Sequence, residues 1–231
     1  MRAAWLAALA LFPLLAVAAE RDAVLLWYRQ VEAGRAERVR YIATPDYLRI
    51  DDGSADNGFV LLDRARRQVF SVVPDTHTIL VIDGAGELPQ APASLHIRET
   101  QAEDAGAPAI DGHAVLQVQV SANDERCYSG VVVPGLLDDV GRAMAEFDRV
   151  MAVQQQRTLE ATPAELRTPC FLARYLYAPA RHLQRGVPVE EWSHDGKRRT
   201  LLDYDASARV DDSLFRLPGD YLRYTVPGGA P

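Results

Sequence analysis

The chain has 231 residues, with 32 Asp and Glu against 25 Lys and Arg, and its net charge at pH 7 is −7. Such an acidic balance argues against binding to nucleic acid or to an anionic membrane surface. Lysine occurs only at Lys197. Because Arg198 follows Gly196-Lys197, where a phosphate-binding loop needs Ser or Thr, that type of nucleotide site is excluded.

The beginning of the chain has the layout of a secretory signal. Arg2 supplies a positive start, an apolar run follows from Ala3 to Val17, and small residues lead to Ala19 ahead of charged residues. The run is shorter than the roughly 20 apolar residues of a membrane span, so retention as an anchor is the less favoured alternative. We predict a cleavable signal peptide over 1–19, export to the periplasm, and a single mature domain over 20–231 without a transmembrane segment.

Short segments of alternating polar and apolar residues, separated by turn residues, fill the first half of the mature chain. Arg38–Ile42 and Tyr47–Asp51 are two examples, joined through Pro45-Asp46. Alternation at period two is typical of half-buried strands, and strands linked by short turns favour sequential antiparallel pairing. The sequence therefore predicts a meander, and Asp195-Gly196 predicts a further hairpin near the end. The intervening stretch Phe171–Tyr177 is compatible with either strand or helix.

The pattern changes after Pro134-Gly135, where apolar residues recur at spacings of three and four. This periodicity predicts one amphipathic helix of about 22 residues, whose apolar face must cover another part of the protein. Asp138 and Asp139 suit its positive N-terminal end. The apolar positions of this helix are Leu136, Val140, Ala143, Met144, Phe147, Val150 and Met151.

Two cysteines, Cys127 and Cys170, flank the predicted helix. Cysteines of exported proteins usually pair, because nothing in that compartment keeps thiols reduced. The bond would close a loop worth about 4 kcal/mol in the chain-entropy model. A reactive thiol is the alternative, but it needs an activating histidine, and none lies near either cysteine in sequence. We predict a structural disulfide.

The sequence shows no pattern typical of a catalytic or metal site. Its five histidines are dispersed, without metal-ligand spacing, and no Gly-x-Ser-x-Gly stretch is present. The acidic residues around Asp51–Asn57 lack the glycine and glutamate positions of a calcium-binding EF loop, so they predict a hairpin turn. We expect a protein without cofactor or metal that is not an enzyme. An uncharacterised hydrolase is the least favoured function.

Aromatic and methionine side chains suggest an apolar ligand. Adaptable methionines and aromatic rings suit irregular apolar molecules, although the same residues would also serve simply to fill a core. The residues predicted to line such a cavity are Trp27, Tyr41, Phe59, Phe70, Met144, Phe147, Met151 and Trp192.

Four stretches together resemble the LolA/LolB-like superfamily of periplasmic lipoprotein carriers. They are Pro45–Asp51, which contains the pattern Tyr-x-Arg-x-Asp, the hairpin segments Phe59–Asp63 and Val69–Asp83, and the closing Asp211–Tyr221. The resemblance implies a mainly β (α+β) fold, with an incomplete antiparallel β-barrel or a strongly curved sheet and one long helix packed on its concave face. It also implies an apolar cavity that holds acyl chains. Because the helix comes late in this chain, no lid or cavity residue is transferred by position.

The function expected from these features is binding or carrying a lipid-like ligand, such as the acyl chains of a lipoprotein. The alternative is an envelope protein that interacts with or regulates another envelope protein and binds no small ligand. Both alternatives use the same sheet, and the sequence does not decide between them.

Overall fold

The computed structural model describes residues 19–54, 56–103 and 106–226. The predicted signal peptide therefore lies outside the described residues, apart from Ala19. The described chain is mainly β, and its strands are β1 (Glu20–Glu32), β2 (Arg35–Ala43), β3 (Tyr47–Asp51), β4 (Phe59–Asp63), β5 (Gln68–Val73), β6 (Thr78–Asp83), β7 (Ile97–Glu103), β8 (Leu116–Ala122), β9 (Glu125–Val133), β10 (Val187–Ser193), β11 (Arg198–Asp211) and β12 (Leu222–Thr225).

All of these strands form one sheet in the order β12-β6-β5-β4-β3-β2-β1-β11-β10-β9-β8-β7. Strands β1 to β6 make one antiparallel meander and β7 to β11 make a second, which confirms the predicted sequential pairing. The two meanders join where β11 pairs antiparallel with β1, from Glu20 opposite Asp211 to Val31 opposite Arg198. Strand β12 adds to β6 in parallel.

The predicted fold class is therefore wrong in its architecture, although the mainly β content is confirmed. The twelve strands form an open sheet with β12 and β7 at its edges, and not an incomplete barrel or curved sheet with a long helix on its concave face. The physical reason is the long-range pairing of β1 with β11. That pairing joins the two meanders edge to edge into one wide sheet. The alternation of polar and apolar residues within a strand does not predict which distant strand becomes its neighbour.

Two α-helices, α1 (Asp138–Arg157) and α2 (Pro169–Leu172), are followed by a π-helical turn over Ala173–Tyr177, so the ambiguous stretch is helical. Most of the apolar face predicted for α1 is buried, and Val140, Met144 and Val150 pack with residues from several strands. Within the described part of the chain, no helix has the length and apolar character needed to cross a membrane.

The Tyr-x-Arg-x-Asp stretch of β3 contributes three side chains to the second face of the sheet, which is the face opposite α1. Because side chains alternate along a strand, Tyr47, Arg49 and Asp51 share this second face. Arg49 binds the buried Asp51 carboxylate and also donates to the carbonyl of Leu214, while the Tyr47 ring stacks on Phe215 at 5.4 Å. The stretch thus attaches the C-terminal segment to the sheet.

The predicted disulfide is confirmed. Cys127 on β9 and Cys170 in α2 are bonded, with their Cα atoms 4.9 Å apart. The bond lies in a small core that includes Val120 and Ala173. It therefore fixes the segment after α1, which carries Arg174, against β9.

Candidate functional site

A cleft of about 230 Å³ lies between α1 and the strands β1, β2, β10 and β11. One part of its lining is apolar or aromatic, and the other part is charged. The apolar and aromatic residues include Val31, Tyr41, Leu48, Met144, Phe147 and Trp192. The charged residues are Glu32, Asp148, Arg174, Glu191, Lys197, Arg198 and Arg199.

Four of the eight residues predicted to line a ligand cavity border this cleft, namely Tyr41, Met144, Phe147 and Trp192. Trp192 lies at its rim, because it follows Glu191 in β10 and is 40% exposed. The other four residues lie elsewhere. Trp27 and Phe59 are on the second face, under the guanidinium groups of Arg38 and Arg49 at 3.8 and 3.7 Å. Phe70 belongs to the second-face core, and Met151 lies on α1 with 36% of its surface exposed. Strand periodicity separates Trp27 from its neighbour Tyr28, which faces α1.

A cluster of largely buried polar side chains, of which only His182 is fully buried, surrounds the carboxylate of Glu191. Its Oε2 accepts from Nη2 of Arg199 at 3.0 Å, and its Oε1 accepts from Nη2 of Arg174 at 3.3 Å. Nε2 of His182 lies 3.1 Å from Oε2, although the N–H is not well aligned for a hydrogen bond. Arg199 also donates to the Tyr41 hydroxyl at 3.0 Å.

The sequence analysis did not single out this cluster, although a signal for it exists. Glu190 and Glu191 are consecutive in a strand, so their side chains point to opposite faces and one of them must face the interior. The partners come from separate elements: Arg199 from β11, Arg174 from the π-helical turn, and His182 from the next 3-10 turn. The predicted hairpin places Glu191 opposite Arg199, but no spacing rule connects Arg174 or His182 to this pair.

His182 is neutral in this arrangement. Nη1 of Arg174 lies 3.2 Å from its Nδ1, and because arginine can only donate, Nδ1 must be the acceptor and Nε2 must carry the proton. Burial lowers the pKa of His182 and Arg174 lowers it further, whereas Glu191 acts in the opposite direction. The folded protein therefore holds the imidazole without a charge.

The two carboxyl groups of the site respond differently to their surroundings. Burial alone would raise the pKa of Glu191, but Arg199 and Arg174 hold it well below its usual range. Asp148 on α1 makes no hydrogen bond or ion pair within the described part of the chain. Burial raises the pKa of Asp148 despite the nearby cations. Glu191 is therefore ionised at neutral pH, and Asp148 takes up a proton more readily than an ordinary aspartate.

Two buried polar atoms of residues that line the cleft have no hydrogen-bond partner: Nε of Arg199 and the hydroxyl of Tyr128. The ring of Tyr128 lies 4.6 Å from the guanidinium carbon of Arg174. Its hydroxyl is close to Arg174 and to the backbone of His182, but neither contact has hydrogen-bond geometry. Buried polar groups are usually paired, so these two donors mark a place where a partner is missing.

A further group of side chains, Glu125, Cys170 and His194, has ligand atoms within 4.8 Å of one another. The sulfur of Cys170 is bonded to Cys127 and cannot coordinate a metal as a thiolate. This group is therefore a feature of the disulfide's surroundings.

The neutral state of His182 predicts a dependence of stability on pH. A group whose folded pKa is lowered contributes stability that is complete above its unfolded value and is lost as pH falls below it. For His182 that loss begins near pH 6.5, and it amounts to at most about 1.4 kcal/mol per pH unit. We expect His182→Gln, which keeps an acceptor for Arg174, to show a smaller drop in the free energy of unfolding between about pH 7.5 and 5.5.

The measurement is urea unfolding of both proteins at the two pH values. Glu191 adds its own loss only below about pH 4.5, and Asp148 acts in the opposite sense, so the informative quantity is the difference between variant and wild type. His96 is exposed, and His96→Gln should keep the wild-type drop. Equal pH dependence in His182→Gln and wild type would contradict a buried neutral imidazole.

Comparison with known proteins found no matching family model and no matching curated protein. Among solved structures, an uncharacterised conserved protein from Thermus thermophilus is 8% identical with a TM-score of 0.43, over 88% of this chain and 90% of that chain. PNGF-II is also 8% identical with a TM-score of 0.42, over 89% of this chain and 31% of that chain. The aligned region thus covers about a third of PNGF-II. These likenesses are too distant to assign a family or a function.

Proposed function

We propose that this protein is exported to the periplasm and binds a lipid-like ligand, with an acyl chain held in the cleft between α1 and the sheet. The observation that carries the proposal is the meeting of Tyr41, Met144 and Phe147 in one cleft. These side chains come from β2 and α1, and they supply adaptable apolar contacts. The resemblance of the sequence to periplasmic lipoprotein carriers points to the same class of ligand.

The size of the cleft limits the ligand. Its volume of about 230 Å³ is below the roughly 300–1,000 Å³ of sites that enclose drug-sized molecules. A whole lipid with several chains does not fit. We infer that the site holds a single short acyl chain or the end of a longer chain.

The chemistry of the cleft favours binding over catalysis. Ser193 lines the cleft, but its hydroxyl bonds to Asp195 and not to a histidine, so it lacks the imidazole base of a serine hydrolase. His182 is held between Arg174 and Glu191, and its side chain is only 1% exposed. A nucleophile with a free base is therefore not part of the proposal.

The test is binding of decanol, a neutral ten-carbon chain, to the mature protein by isothermal titration calorimetry. We expect Phe147→Ala to weaken decanol binding by about tenfold, because it removes a wall of the cleft. Met151→Ala is the matched control, since Met151 lies one turn further along the same helix face but does not line the cleft. It should bind decanol as the wild type does.

Two results would overturn the proposal. Wild-type protein that binds neither decanol nor a charged ten-carbon chain would favour the alternative of an envelope interaction protein, which crosslinking in the native host would then identify. An equal loss in Phe147→Ala and Met151→Ala would show that the chain does not bind in this cleft.

A further inference from the structure

We propose that the ligand carries a single negative charge, a carboxylate, and that Arg199 and Tyr128 bind it at the charged side of the cleft. This inference rests on the proposed function, because it concerns the headgroup of the same ligand. It starts from the lining of the cleft, where the guanidinium groups of Arg174 and Arg199 both contact the Glu191 carboxylate. The other two cations of the lining are paired, Lys197 with Glu32 and Arg198 with Glu190, so the anion site is assigned to the two arginines.

The hydrogen-bond donors and acceptors around Glu191 are unequal in number. Each arginine has five N–H donors and no acceptor. In the cluster, both oxygens of Glu191 are already engaged, by Arg174 on one side and by Arg199 and His182 on the other. The N–H donors of the two arginines outnumber the acceptors even when the two oxygens of Asp148 are counted, and a bound carboxylate would supply two further acceptor oxygens.

The two hydrogen-bond donors without partners belong to residues near Glu191. Nε of Arg199 and the hydroxyl of Tyr128 belong to residues on either side of Glu191, with Arg174 between Tyr128 and the Glu191 carboxylate. Both residues also line the cleft. A headgroup beside Glu191 would be within reach of both donors, and its chain would extend along Met144 and Phe147.

A carboxylate fits this site better than a phosphate. Lys197 is paired with Glu32 at 3.0 Å and Arg198 with Glu190, so only Arg174 and Arg199 remain for a ligand, and they already share Glu191. A dianionic phosphate monoester would need more uncompensated charge, and a phospholipid exceeds the volume of the cleft. The ligand class is thus a fatty-acid-like amphiphile.

The experiment compares three probes with the same ten-carbon chain: decanoate, decanol and decyltrimethylammonium, titrated into the mature protein at about pH 7.5. We expect decanoate to bind about tenfold more tightly than decanol, and the cation to bind more weakly than decanol. Equal binding of decanoate and decanol would overturn this inference and leave the proposed function standing. Failure of all three probes would overturn both.

Two substitutions test the residues. Tyr128→Phe removes a hydroxyl that has no partner, so folding should be unimpaired, while decanoate binding weakens by about five- to tenfold and decanol binding stays unchanged. Asp148→Asn removes a negative charge from the lining and should tighten decanoate binding severalfold, again without effect on decanol. A gain of affinity cannot result from misfolding.

Asp139→Asn is the matched control for Asp148→Asn, because Asp139 lies on the same helix with a side chain that is 70% exposed and does not line this cleft. It should leave decanoate binding unchanged. Urea unfolding of every variant confirms that it is folded. Unchanged decanoate binding in both Tyr128→Phe and Asp148→Asn would place the headgroup away from the cluster and overturn the assignment.

Discussion

Replacing Glu191 by glutamine is expected to lower the free energy of unfolding by about 3–5 kcal/mol, the cost of leaving buried charges without their partner. The substitution keeps the shape of the side chain but removes the negative charge shared by Arg174 and Arg199. Only 13% of the Arg199 side chain is exposed, so water replaces the lost carboxylate only in part.

The measurement is urea unfolding at neutral pH, and Glu190→Gln is the matched control. Glu190 is the next residue in β10, on the opposite face, and its partner Arg198 is 56% exposed. Exposed ion pairs contribute about 0–1 kcal/mol, so the control should change stability by no more than that.

A double variant separates lost pairing from lost packing. Adding Arg199→Met to Glu191→Gln removes a cation together with its carboxylate and should recover part of the lost stability, since apolar side chains often replace buried ion pairs without loss. Equal stability of Glu191→Gln and Glu190→Gln would show that the cluster is hydrated and would also weaken the donor count behind the carboxylate site.

The second large effect is expected from removal of the disulfide. Cys127→Ala with Cys170→Ala should lower the free energy of unfolding by about 4 kcal/mol, because the bond spans 43 residues of chain and restricts the unfolded state. The loss of two buried sulfurs from a small core adds a packing cost. Urea unfolding of the double variant measures the total.

Wild-type protein kept reduced is the control, since it retains both sulfurs and loses only the link. It should be less stable than the oxidised protein and at least as stable as the double variant. Because Cys170 precedes Arg174 by one turn, we also expect weaker decanoate binding in both reduced forms. A change in stability below about 1 kcal/mol in reduced wild type would contradict a stabilising role for the bond.

Much of the local structure could be predicted from the sequence. Alternation located the strands around Tyr41 and Leu48, the three-and-four spacing located α1 with its buried Val140 and Met144, and Asp195-Gly196 located the β10–β11 hairpin. These predictions succeeded because each depends on residues close together in the chain, where the period of the backbone decides which side chains share a face. The disulfide was predictable because only two cysteines exist.

The arrangement of the sheet and the composition of the site were decided by tertiary structure. Pairing of β1 with β11 joins the two meanders into one sheet of twelve strands. The hairpin brings Glu191 opposite Arg199, but no sequence spacing relates this pair to Arg174. An apolar cavity predicted from composition thus has a charged side that composition did not indicate. The physical reason is that burial of a charge depends on which distant strands become neighbours, and a pattern within one strand contains no information about that choice.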